Sequence, residues 1–145
     1  MKVGMLTGPF GRETLETVMD FAQEAGIPCL EVGAGPGSNH IDPANLSAAR
    51  IRAIRDGLAA RGLAISGLAY YTNTTDPARQ RDVQAHAIKA IDAAAKLGAP
   101  TVCMLAGLPV EGMSKIDTIR KVVPKAFKPI LAHARKRGIT IALEN

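Results

Sequence analysis

The chain has 145 residues, 47% of them apolar and 21% charged, so it carries enough apolar mass for a packed core and is no disordered tail. Its 14 Gly and 9 Pro follow no three-residue period, which excludes a fibrous repeat. A net charge of +5, from 18 Lys and Arg against 13 Asp and Glu, is spread along the helix-like segments, and aromatics make up only 3%. That pattern describes solvated helix faces better than a nucleic-acid footprint, so no nucleic-acid partner is expected.

The longest apolar stretches are strand-sized, well short of the roughly 18–20 residues of a membrane span. The opening Met1–Gly8 lacks the longer apolar run and small-residue cleavage site of a secretory signal. A cytoplasmic protein with no membrane partner is expected. Cys29 and Cys103 lie in apolar strand-like runs, without a CxxC pair or a neighbouring His, and read as buried thiols of a reducing compartment.

In chain order, Lys2–Thr7 reads as a first strand. Leu15, Val18, Met19 and Ala22 then give one buried helical stripe, and Cys29–Val32 a second strand. Ile51, Ile54 and Leu58 mark the next helix, with Arg50, Arg52, Arg55 and Arg61 mostly outward, before a strand at Ala64–Ala69. Asp76-Pro77 reads as the cap and first-turn proline of a third helix carrying Val83, Ala87, Ile91 and Ala94. A strand at Thr101–Leu105 follows. A long helix from about Ser114 to Lys136, which Pro124 and Pro129 should kink or divide, precedes a last strand at Thr140–Leu143.

Each helical pattern ends in a glycine, at positions 26, 62, 98 and 138, with intervals of 36, 36 and 40 residues. Glycine just past a helix supplies the left-handed conformation that stops it. The order βαβαβαβαβ with near-continuously apolar strands predicts a parallel α/β sheet, covered by helices. Right-handed crossovers place every strand's C-terminal end on one side. Two architectures fit: a small open doubly wound sheet, or four βα units plus strand five of a TIM barrel. The second is preferred, because eight periods of this length give about 290 residues, within the barrel range. Residues 1–145 are then expected to be the N-terminal half of a (β/α)8 barrel whose remainder lies outside this sequence. Two open strand edges would leave such a half barrel marginal or oligomeric alone, so a homo-oligomer is among the expected states.

The rim loops that would carry chemistry are Gly8–Arg12, Gly33–Pro43, Tyr70–Asp76 and Ala106–Ser114. Glu144 ends an apolar strand, where a carboxylate is either an exposed acid or, at a barrel mouth, a ligand for a divalent cation; Asn145 could add a polar contact. Glu31, inside strand two, is either paired structurally or part of a site. His40, near Asp42, is a candidate metal or substrate contact, or a loop residue without a role. His86 and His133 fall within helices and read as packing or surface residues. The glycine run Gly33–Gly37 is not a dinucleotide fingerprint, since it follows the second strand and reaches its helix only some ten residues later.

Taken together, Gly26-Ile27-Pro28-Cys29-Leu30-Glu31-Val32-Gly33, the loop end Asn39-His40-Ile41-Asp42-Pro43, the stretch Ala90–Pro100 and above all His133–Asn145 resemble the xylose isomerase-like barrels, the sugar phosphate isomerase/epimerase superfamily. The similarity spans essentially the whole chain, but only the family's N-terminal half. It implies that Glu144 is a metal ligand and catalytic group and that the other ligands lie beyond residue 145; Glu31 and His40, from their positions on the rim, are taken as the candidate substrate contacts. It further implies a divalent cofactor (Mn, Mg, Co or Zn), a sugar or sugar-phosphate substrate, and proton transfer beside a carbonyl through a metal-stabilised enediolate. Some relatives shift a hydride instead. An apurinic-site endonuclease-like enzyme of the same superfamily is the rival, but it would need histidines on early strands, where only His40 is available. A non-catalytic sugar-binding or interaction module is the other alternative. On the isomerase reading this half alone should offer a single weak carboxylate ligand.

Overall fold

A computed structural model of the chain describes residues 3–144. Its elements run β1 (Gly4–Leu6), α1 (Leu15–Glu24), β2 (Cys29–Gly33), α2 (Ala48–Ala60), β3 (Ala64–Tyr70), α3 (Gln80–Leu97), β4 (Thr101–Leu105), α4 (Lys115–Lys121), α5 (Val123–Arg137) and β5 (Thr140–Glu144). A short 3-10 turn, Gly8–Phe10, follows β1. All neighbouring strands pair in parallel, and the five-stranded sheet has the order β1-β2-β3-β4-β5. That order separates the two expected architectures. A doubly wound sheet reverses direction partway and puts helices on both faces, whereas strictly sequential right-handed crossovers put them all on one. The chain is half of a TIM barrel, with an open sheet. Among the described residues, no helix is long and apolar enough to cross a membrane.

The period-two alternation of the strands sorts their side chains. Leu30, Val32, Ile65, Leu68, Val102 and Met104 face the helices and are buried there with Leu15, Met19, Ile54, Ile91 and Ile130. Each fully buried aliphatic side chain of this set contributes about 1.5–3 kcal/mol. The opposite, concave face carries Glu31, Gly67, Ala69, Cys103, Ala142 and Glu144, the positions of alternate parity. A register shift between Leu30 and Glu31 leaves Ser66 unpaired on β3, where its hydroxyl donates to the Leu30 carbonyl at 3.1 Å. This bulge resets the alternation along β3, so that Gly67 lies beside Glu31.

The four helix-ending glycines all adopt the left-handed conformation, with φ between 64° and 77°. Three helices open on hydroxyl caps: Thr14, Ser47 and Ser114 accept from the amides of Thr17, Arg50 and Asp117. The Asp76-Pro77 expectation is corrected. Asp76 accepts from the Ala78 amide at 3.0 Å and its carbonyl from Arg79 at 3.2 Å, closing a separate turn, so α3 begins at Gln80. The long last helix divides at Val122 (φ −105°), because Pro124 has no amide to continue the α4 ladder. Pro129 does not divide the helix: it lies inside α5 on the exposed side, and the helix runs on to Arg137.

On the outer surface, α3 and α5 are joined at Asp92, whose carboxylate accepts from His133 at 2.9 Å and Arg137 at 2.7 Å. Partial burial pushes this carboxyl up, but the hydrogen bond and charge of His133 and the charge of Arg137 outweigh it and hold it below the ordinary aspartate range. A depressed carboxyl contributes stability above its unfolded value, and that contribution is lost as pH falls through the folded one. Asp92→Asn is therefore expected to flatten the fall in urea midpoint between about pH 5 and pH 2. An unchanged slope would mean the pairing is too solvated to matter.

Candidate functional site

At the C-terminal ends of the strands, Glu31 from β2, Cys103 from β4 and Glu144 from β5 bring one donor atom each within 4.8 Å of one another. These donors meet across β3 because the positions between them are small. Gly67 lies beside Glu31 and Ala69 beside Cys103. A Cβ on Gly67 would stand 3.2 Å from the Cys103 sulfur, closer than the pocket around that atom tolerates without adjustment. Tyr71, next on the same face after Ala69, places its hydroxyl 2.5 Å from Glu31 Oε1 and 2.6 Å from Glu144 Oε1.

One phenolic proton cannot serve two carboxylates, and among the described residues no Lys or Arg forms an ion pair with Glu31 or Glu144. The cluster is thus rich in donors and short of positive charge. Cys103 is 8% exposed, and burial, then the Glu31 carboxylate and its hydrogen bond, then Glu144, push its thiol up to about 12. Burial first, and the Glu144 and Glu31 carboxylates after it, push the Tyr71 phenol well above the usual tyrosine range. Both groups therefore keep their protons at neutral pH. Two carboxylates, a thiol and a hydroxyl in this space match the chemistry of a divalent-cation site. Where the sequence pointed to Glu144 as a cation ligand and to Glu31 as a candidate site residue, these two and Cys103 meet as three donors.

Glu144 and Glu31 stand on the mouth face. His40 is at the same end of the sheet but 4% exposed, with both ring nitrogens engaged. Its Nε2–H donates to the Phe10 carbonyl at 3.1 Å, while Nδ1 accepts from the Thr7 hydroxyl at 2.9 Å. Thr7 in turn accepts the Gly33 amide at 3.0 Å, and Asn39 donates to the Gly11 carbonyl at 2.9 Å. His40 thus ties the loops after β1 and β2 together and presents no free nitrogen to the mouth. His86 is buried, donates to the Ala34 carbonyl at 2.8 Å and packs on Tyr70. Asn145 lies outside the described residues.

The loops after β3 and β4 are knotted in the same manner. Asn73 Oδ1 accepts from the Leu108 amide at 2.9 Å and from the Thr75 hydroxyl at 2.9 Å, while Thr74 donates to Ala106 at 2.7 Å. Between this knot and α4 opens a cleft of about 490 Å³, walled by Leu105, Leu108, Ile119 and Val123, with Lys115 and Glu144 as its charged members. A small polar molecule in this cleft would lie against Glu144.

Tyr71 and Cys103 were not singled out by sequence reasoning as site residues. Counting by two from Gly67 through Ala69 reaches Tyr71, but the Ser66 bulge hides the right parity from anyone counting from Ile65. Cys103 shares its face with Ala142 and has no local signal that an acid two strands away reaches it.

Comparison with solved structures gives the same fold throughout. A D-tagatose 3-epimerase-like protein superposes with a TM-score of 0.78 at 20% identity, covering 100% of this chain and 53% of that one. A xylose isomerase-like TIM barrel protein from Mycobacterium smegmatis, in complex with magnesium, gives 0.74 at 21% identity, covering 98% and 54%. The 3-keto-D-glucoside 4-epimerase of E. coli gives 0.74 at 19% identity, covering 99% and 55%. The chain therefore spans about half the length of the solved structures it matches. No curated protein sequence matches it. The family model described as xylose isomerase-like TIM barrel matches residues 19–145, and with the strand order and site geometry above, the chain belongs to that family.

Proposed function

We propose that a longer protein carrying this chain is a metal-dependent isomerase or epimerase of a sugar or sugar phosphate, working by proton transfer at the carbon beside a carbonyl. The observation that carries the reading is the convergence of Glu144, Glu31 and Cys103 at the mouth of the half barrel, with no Lys or Arg ion-paired to either acid among the described residues. Epimerases among the structures of the same fold support it. When bound, a divalent cation at Glu144 supplies the Lewis acidity that polarises a carbonyl oxygen. Everything else falls to the chain. Glu144 is placed to hold or accept a proton beside the cleft, and Tyr71 fixes the orientation of that carboxylate through its hydroxyl. Glu31 shares the Tyr71 contact and meets the inner end of a substrate. His40 acts as a positioning residue, holding the two early rim loops in register.

The test is turnover of a panel of ketoses and ketose phosphates by the longer protein with Mn, Mg, Co or Zn in D2O. The expected result is isomerisation or epimerisation with deuterium incorporated beside the carbonyl, the 145-residue chain alone serving as an inactive control. Turnover without deuterium would replace proton transfer by a hydride shift; no turnover with any sugar would remove the reading.

A second reading, a multi-cation hydrolase of the apurinic-site endonuclease kind, draws on one observation: Glu31 and Cys103 bring early-strand donors next to Glu144. Against it, both nitrogens of His40 are engaged elsewhere, so that imidazole cannot join the cluster. Cleavage of abasic-site DNA by the longer protein, with no sugar turnover, would favour it.

A further inference from the structure

We infer that Glu31, Cys103 and Glu144 form a cation site within this chain alone, with the Cys103 sulfur as a direct ligand, and that the site takes a thiophilic or borderline cation such as zinc or cobalt in preference to magnesium. The inference rests on the proposed function only in making Glu144 a metal ligand; it requires no sugar chemistry.

Three independent features of the geometry carry it. First, the three donor atoms lie within 4.8 Å of one another and come from three different strands. Residues so far apart in sequence are held by the sheet, so the donor set is built before any cation arrives and little ordering cost remains to be met. Second, the sulfur is enclosed. Cys103 is 8% exposed, and the bare Gly67 is what makes room for it, since an added Cβ would come to 3.2 Å. Its twin on the same face, Cys29, makes a different use of its sulfur, donating to the Val3 carbonyl at 3.6 Å. Among the described residues the Cys103 sulfur has no backbone acceptor, and it faces the Glu31 and Glu144 carboxylates. Third, the charge is unbalanced. Two carboxylates converge on a single tyrosine hydroxyl, with no Lys or Arg paired to either among the described residues. Like charges held this close repel one another, and a divalent ion is the simplest species that relieves the repulsion.

A thiolate among carboxylates shifts preference towards softer cations, whereas magnesium favours oxygen donors and keeps its waters. On binding, the cation takes a lone pair of the Cys103 sulfur and the thiol proton passes to solvent. No electron is transferred.

Cobalt(II) reports the sulfur directly, because a thiolate ligand gives a near-ultraviolet charge-transfer band that oxygen ligands do not. Titrating the 145-residue chain with Co(II) under a non-thiol reductant should raise this band to saturation at one equivalent, and zinc but not millimolar magnesium should abolish it. Cys103→Ser should lose the band and weaken cobalt binding by at least about tenfold. Cys29→Ala should keep both, which separates a folded site from adventitious binding by an unfolded chain. Absence of the band in the unaltered chain would overturn the inference, as would its survival in Cys103→Ser or its equal loss in both variants. Because no sugar is present, the outcome stands apart from that of the turnover assay.

Discussion

Glu144→Gln in the longer protein is expected to lower kcat by at least about a hundredfold, the lower end of what a positioned acid–base group contributes. The substitution preserves size and leaves an oxygen to accept the Tyr71 hydroxyl, so the mouth should keep its shape. It removes the negative charge, and with it both the capacity to carry a proton and the strongest attraction for a divalent cation. Calorimetric titration with metal should therefore show weaker binding alongside the lost turnover, while the melting temperature stays near that of the parent. Tyr71→Phe separates the two roles. It leaves both carboxylates charged but removes the hydroxyl that orients them, a loss comparable to that of an outer partner of a metal ligand, about 10–100-fold. If Glu144→Gln turned over normally, the residue would be a solvated acid on an edge strand and the proposed function would lose its centre.

Glu144 was legible in the sequence because strand ends are set by local pattern. Ile139–Leu143 is apolar but for Thr140, the preceding Gly138 stops α5, and an acid directly after such a run has few places to point. The same local logic located the other strands to within one or two residues and identified the four helix-ending glycines, although β1 is shorter than Lys2–Thr7 and Lys2 lies outside the described residues. What local pattern could not supply is the partner of each polar group. His40 has the same sequence surroundings whether it faces a substrate or turns inward; the deciding partners are Thr7 and Phe10, 33 and 30 residues earlier. Cys103 reads as a core thiol until Glu31 and Glu144 arrive from separate strands. Asp76-Pro77 carries a helix-start signal, yet the turn it closes satisfies its own amides and leaves α3 to begin after it. The choice between a half barrel and a doubly wound sheet is of the same kind, since both share one order of elements and differ only in which strands pair.

The loop knot beside the cleft gives the second large expected effect. Gly107 has φ +109°, and a Cβ built there would lie 2.5 Å from the Thr75 hydroxyl oxygen, 2.9 Å from its methyl and 2.8 Å from its backbone nitrogen. Alanine at this position meets two costs, a backbone conformation that side chains disfavour and an overlap with a residue only 1% exposed. Together these should destabilise the chain by about 3 kcal/mol, and thermal unfolding should fall by roughly 10 °C. The Thr75 side chain cannot simply rotate away, because its hydroxyl donates to Asn73 Oδ1, which also holds the Leu108 amide. Adding Thr75→Ala should recover only part of the loss, since the backbone nitrogen at 2.8 Å remains in the way. The same displacement would move Gly107 and Leu108, both walls of the cleft that ends at Glu144. In the longer protein Gly107→Ala should consequently raise KM more than it lowers kcat at temperatures where the fold persists. Equal stability of Gly107→Ala and the parent, measured by thermal melts, would mean that the loop after β4 relaxes freely and that the Asn73–Thr75 knot does not set the shape of the mouth.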